Sequence, residues 1–132
     1  MPTKELPPSP ALAFLGDAVH TLYVRRLLVA RGLAKSGPLN DAARPLVSAE
    51  GQALQAARVL PHLTEYEHDV YRRAFNSGHL NRPKHASGAD YRAATGWEAV
   101  LGMLTYTAQH DRAEALLALA LREEENTNDS ED

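Results

Sequence analysis

From Leu12 onward, apolar residues recur at three- and four-residue intervals, as in Leu12, Leu15, Val19, Leu22, Tyr23 and Leu27, while no stretch alternates with period two. The first spacing marks one face of a helix, and the second would mark a half-buried strand. The pattern therefore predicts an all-α fold of five to seven helices. Ser9 followed by Pro10 reads as an N-cap and first helical residue, and Arg25, Arg26 and Arg31 gather before Gly32. A first helix is expected over roughly 10 to 31. Pro45 should divide helices at about 38 to 44 and 46 to 60, and Pro61 should end the second. Thr64 with Glu67 has capping-box spacing and opens a helix to about Phe75, which Gly78 terminates. The polar segment NSGHLNRPKHASG, residues 76–88, reads as a functional loop. The chain then reads as helical from Ala89 to about Gln109, and Asp111 as the cap of a last amphipathic helix.

At 132 residues the sequence makes one domain. Residues 1–9 read as a Pro-rich extended arm, 10–121 as the helical body, and 122–132 are expected to be an acidic disordered tail. No segment has the ~18 uncharged apolar residues of a membrane span. MPTKELPPSP shows no secretory signal, so a cytoplasmic protein is expected. The absence of cysteine removes disulfides, thiolate nucleophiles, iron–sulfur clusters and cysteine zinc sites together. The six histidines show no HxxxH or HExxH spacing, and no GxxxxGK[ST], GxGxxG or nucleophile-elbow pattern occurs. Hydrolysis by such a chain would be metal-assisted, with carboxylates as ligands.

Two acids stand out for their surroundings. Asp17 in FLGDAVHTLYVRR and Glu98 in TGWEAVLGMLTY lie 81 residues apart, each in an apolar helical segment rich in small residues. Asp17 has Ala13, Phe14, His20, Thr21 and Val24 at three- and four-residue spacing, and Glu98 has Ala94, Thr95, Leu101 and Gly102. None is a permanent cation, so a partner must come from another helix, a metal or water. A glycine inside a helix costs roughly 1 kcal/mol relative to alanine, and close packing of two backbones is a reason to keep Gly16 and Gly102. If the helices cross there, the carboxylates can share a hard cation such as Mg²⁺, with waters left over for a phosphate substrate. The alternative reading of either acid alone is a structural charge in a salt bridge or cap.

The formal charge of −3 is dominated by the tail, which holds six acids and one Arg. The other 121 residues hold 13 basic and 11 acidic groups, and Arg72, Arg73, Arg82, Lys84 and Arg92 face one acid, Asp90, within their span. That density suits phosphate contacts, although a basic loop is more often solvated surface. Tyr91, Trp97 and Tyr106 are expected in the core rather than as a base-stacking platform.

FLGDAV resembles the signature helix of ribonuclease III domains, and WEAVLG resembles their second acid-bearing motif. With VSAEGQA, RRAFNSGHLNRPK and DYRAATGWEAVLG in the same order, and without a C-terminal double-stranded-RNA-binding domain, the chain is similar to the Mini-ribonuclease III branch over about residues 10 to 120. The resemblance implies a ribonuclease III endonuclease-like helical bundle that forms a homodimer and cleaves structured double-stranded RNA, with ribosomal RNA precursors as substrate class. It implies Mg²⁺, with Mn²⁺ as substitute, held by Asp17 and Glu98 as catalytic and metal-binding residues, and products with 5′-phosphate and 3′-hydroxyl ends. Phe14 matches the aromatic residue that packs across the dimer interface. Arg72, Arg73, Asn76, Ser77, Arg82, Lys84 and Arg92 would grip RNA, and a ribosomal accessory protein is a conceivable further partner. Larger relatives carry additional acids where this chain has Ala13 and Thr95. The rival readings are an inactive relative kept as an RNA-binding or ribosome-associated module, and an all-α nucleotide pyrophosphohydrolase, which would need more carboxylates.

Overall fold

The apolar positions of the segment from Gly88 to Tyr106 run around the whole helix circumference, and such a helix belongs at the centre of a bundle. The computed structural model, which describes residues 5–77 and 87–122, has this arrangement. Six α-helices occur among the described residues: α1 (Ser9–Ala30), α2 (Ser36–Val47), α3 (Ala49–Val59), α4 (Glu65–Ser77), α5 (Gly88–Tyr106) and α6 (His110–Leu121). A 3₁₀ turn, Leu60–His62, joins α3 to α4. Helix α5 is packed by α1, α3 and α4 and touches α6, and it buries Trp97, Val100, Leu101, Met103 and Leu104 almost completely. Each such side chain contributes roughly 1.5–3 kcal/mol by leaving water. No helix among the described residues is long and apolar enough to cross a membrane.

Several expected boundaries move, each for a local reason. Pro8, not Ser9, is the N-cap of α1, so Ser9 and Pro10 are its first two residues; the N–H that Pro10 lacks would have had no partner in the first turn anyway. Pro45 does not divide a helix: α2 runs through it to Val47, and the ring is exposed near the helix end. The break comes at Ser48, whose hydroxyl accepts a hydrogen bond from the Gly51 N–H at 3.0 Å and caps α3. Of the expected loop 76–88, Asn76 and Ser77 belong to α4, Ser87 caps α5 by accepting from the Asp90 N–H at 2.9 Å, and residues 78–86 lie outside the described residues. Gly78 lies outside the described residues. Asp111 sits in the first turn of α6, and Gln109 occupies the N-cap. Leu22 and Tyr106, expected inside, are 59% and 56% exposed. The buried stripe of α1 consists of Leu12, Ala13, Gly16, His20, Val24 and Leu28, one position away from the larger side chains that suggested it.

The capping box at Thr64 forms as expected: the Glu67 N–H donates to Thr64 Oγ1 at 3.0 Å, and the Thr64 N–H donates to Glu67 Oε1 at 2.9 Å. Glu67 also receives Arg112 of α6 in a two-pronged pair, Nε to Oε2 and Nη2 to Oε1, both at 2.8 Å. Burial alone would raise the pKa of this carboxyl, but the Arg112 and Thr64 hydrogen bonds outweigh it and hold the group below the ordinary glutamate value.

Candidate active site at the crossing of two helices

Gly16 and Gly102 allow α1 and α5 to touch backbone to backbone. A Cβ at Gly16 would overlap the carbonyl oxygen of Glu98, and one at Gly102 would overlap the carbonyl oxygen of Leu12. The contact falls on the residue before Asp17 and on Glu98 itself, so the two acids are brought together by main-chain geometry. Their side chains interact, with Asp17 exposed on the outer side of the seam and Glu98 half-buried within it. Asp17 thus does not suffer the burial that its apolar sequence context suggested.

Glu98 is electrostatically strained. Burial first, and the facing Asp17 carboxylate second, push its pKa up to about 8, against the hydrogen bond from Gln52 that favours the anion. Gln52 Nε2 donates to Glu98 Oε2 at 3.1 Å and to the Val47 carbonyl at 3.0 Å. Two facing carboxylates, one of them reluctant to ionise, form a hard-oxygen donor pair whose chemistry fits a divalent cation such as Mg²⁺. Among the described residues no cluster of three or more metal-ligating side chains occurs, so waters or substrate oxygens would have to complete a coordination shell. Ala13 is buried and has no donor, and Thr95 turns its hydroxyl back to the Tyr91 carbonyl at 2.9 Å. Neither adds a ligand.

Helix α3 braces both acid-bearing helices through glutamines that the sequence reading did not single out. Gln55 Oε1 accepts from Trp97 Nε1–H at 3.1 Å and lies 2.6 Å from His20 Nε2, while Gln55 Nε2 donates to the Leu46 carbonyl at 2.9 Å. With the amide orientation set by Leu46 and Trp97, His20 is assigned as the Nε2–H tautomer. His20 follows Asp17 by one turn, and Trp97 precedes Glu98. Burial lowers the pKa of His20, although Gln55 and Asp17 act in the opposite direction, so the ring favours its neutral form. Its Nδ1 is buried without a hydrogen-bond partner. The available sequence signal was weak: two glutamines three residues apart in a pattern that otherwise reads as a partly solvated helix.

The basic residues divide. Arg72 and Arg73 are exposed on α4, and both pair with Asp69; the Arg73 Nε contact is 3.2 Å. They adjoin Tyr71, whose ring lies where a Cβ at Gly96 would stand, two residues before Glu98. The basic end of α4 therefore leans on the site-bearing stretch of α5. Arg92 is exposed on α5 about 9 Å along the axis from Glu98, at 1.5 Å per residue. Asn76 and Ser77 are exposed, with the Ser77 hydroxyl donating to the Ala74 carbonyl at 3.0 Å. Arg82 and Lys84 lie outside the described residues. Phe14 is 83% exposed, and Leu22 and Val29 continue an apolar strip along the outer face of α1.

Comparison with known proteins agrees with this architecture. Residues 10–109 match the Ribonuclease III domain family. The chain is 39% identical over 117 residues to a Mini-ribonuclease 3 from Streptococcus pneumoniae, covering 87% of this chain and 91% of that protein. It is 40% identical over 115 residues to the Mini-ribonuclease 3 of Symbiobacterium thermophilum, covering 87% and 88%. A crystal structure of a Fusobacterium nucleatum protein superimposes with a TM-score of 0.81 at 25% identity, covering 89% of this chain and 93% of that one. With an all-α ribonuclease III-like fold and relatives of this name over most of its length, the chain belongs to the ribonuclease III family, on its Mini-ribonuclease 3 branch.

Proposed function

We propose that this ribonuclease III-type nuclease is a Mg²⁺-dependent endoribonuclease that cleaves structured double-stranded RNA, with ribosomal RNA precursors as its substrate class and the cytoplasm as its location. The observation that carries the reading is the pairing of Asp17 with Glu98 at a glycine-lined crossing, where burial and the facing Asp17 disfavour the charged form of Glu98. Asp17 and Glu98 would hold Mg²⁺, directly or through waters, as the catalytic pair. The ion would supply Lewis acidity for water activation and charge stabilisation for a departing oxygen. The chain's part is to keep the two carboxylates at one place on the surface, with Asp17 open to a phosphodiester. In-line attack by water on phosphorus breaks the bond to the 3′-oxygen and leaves a 5′-phosphate and a 3′-hydroxyl.

Arg92, with Arg72 and Arg73 and with Arg82 and Lys84, would contact phosphates and 2′-hydroxyls across the minor groove, and Asn76 and Ser77 would add polar contacts. Recognition of this kind depends on duplex shape, so sequence preference should be modest. The apolar strip of Phe14, Leu22 and Val29 supports a homodimer, because a second copy would cover it and two sites could then cut both strands. Incubation of the purified protein with end-labelled duplex RNA tests the reading. Mg²⁺ should produce discrete cuts, EDTA should abolish them, and Asp17→Asn and Glu98→Gln should each reduce cleavage at least about 10³-fold, some 4 kcal/mol in barrier, while still binding RNA. Intact duplex bound equally by all three proteins would instead identify an inactive RNA-binding module.

A further inference from the structure

Gln52 is 3% exposed, and both N–H bonds of its amide are used. One reaches the carbonyl of Val47, which lies at the C-terminal end of α2, where helix carbonyls lack partners of their own. The other reaches Glu98 Oε2. Reversing the amide would set its oxygen against two acceptors, so the orientation is fixed by what surrounds it. The amide oxygen Oε1 is buried without a partner. A structural glutamine would be expected to satisfy its own carbonyl as well as its donors. This one leaves its acceptor orphaned and spends a donor on a carboxylate.

We infer that Gln52 is a positioning residue for the metal-holding acid: it holds the Glu98 carboxylate by one oxygen and offsets part of its charge, so that the group stands ready beside Asp17. The inference rests on Asp17 and Glu98 being the metal pair. Without Gln52, Glu98 keeps its backbone place against Gly16 but loses the amide N–H that holds its Oε2, and its side chain is left to rotate away from Asp17. Supporting residues of this sort change metal affinity or activity by about 10–100-fold when removed.

The test compares wild type, Gln52→Met, Gln52→Ala and Glu98→Gln in two assays, each below the melting transition of every protein. Mn²⁺ binding without RNA is followed by electron paramagnetic resonance of the free ion, and duplex cleavage is followed at varied RNA and Mg²⁺. Methionine keeps the volume of glutamine and removes the donor. In both Gln52 variants Mn²⁺ should bind about 10–100-fold more weakly, with kcat reduced, KM for RNA unchanged and a cooperative melt retained. Wild-type Mn²⁺ affinity in a folded Gln52 variant overturns the inference, as does loss of cooperative melting in both variants, which would make Gln52 a folding residue. The underlying reading fails separately. If wild type and Glu98→Gln bind Mn²⁺ alike, the metal pair is wrong and the inference falls with it. If wild type binds Mn²⁺ through Glu98 but cuts no RNA, only the endonuclease reading is lost and metal affinity still decides the role of Gln52.

Discussion

Two glutamates drawn out of water, Glu67 buried in the first turn of α4 and Glu98 half-buried within α5, meet opposite treatment. Glu67 receives the Thr64 N–H and two prongs of Arg112, and its pKa falls. Glu98 receives one amide N–H and faces another carboxylate, and its pKa rises to about 8. The first arrangement satisfies an anion within the fold. The second leaves a carboxyl whose charged form the fold disfavours, an arrangement more in keeping with the proposed metal site than with a structural ion pair.

The widest separation between the two should come from removing the cation. Arg112→Met leaves Glu67 buried against an apolar neighbour, and urea unfolding at neutral pH should show a loss of about 3–5 kcal/mol. Cleavage per folded molecule should stay near wild type. A variant as stable as wild type would dissolve the contrast. Adding a cation to the other site should have the opposite sign: Mg²⁺ at about 100 times its Kd should stabilise wild type by about 2.7 kcal/mol in thermal melts. Asp17→Asn and Glu98→Gln should not respond.

The smallest effect is in pH. Because the folded-state pKa of Glu98 lies above its ordinary value of 4.5, the folded protein binds this proton more tightly than the unfolded chain. Its contribution to stability is complete below about pH 4.5 and is lost as pH rises through about 8. Glu67 runs the other way, contributing above its ordinary pKa and failing in acid. In EDTA, Glu98→Gln should therefore exceed wild type by about 1–2 kcal/mol at about pH 9, after screening by solvent at a half-exposed group, and the gain should vanish near pH 5. Equal stability at both values would show that the facing carboxylates do not strain one another.

What could be read from the sequence depended on whether the cause was local. Gly16 and Gly102 were legible because glycine is costly in a helix and needs a reason, and Thr64 with Glu67 because a capping box lies within four residues. Pro45 is a stronger sequence signal for a break than Ser48, yet a proline near a helix C-terminus, with its ring in solvent, can be accommodated. Gln52 and Gln55 could not be recognised in advance, since their burial depends on α1, α2 and α5 closing over them. The proximity of Asp17 and Glu98 followed from the glycines, but the exposure of one and burial of the other depended on how α1 is rotated over α5.

The contact of Gly16 with the Glu98 carbonyl also limits how the protein can move. Amide hydrogens along this seam sit where two helix backbones touch and should exchange with deuterium only when the whole domain opens. Loops that gate a site can breathe independently of the fold, whereas a site placed on two touching backbones cannot. Its geometry should persist until the molecule unfolds as a unit, and control over it has to come from what is delivered to the surface.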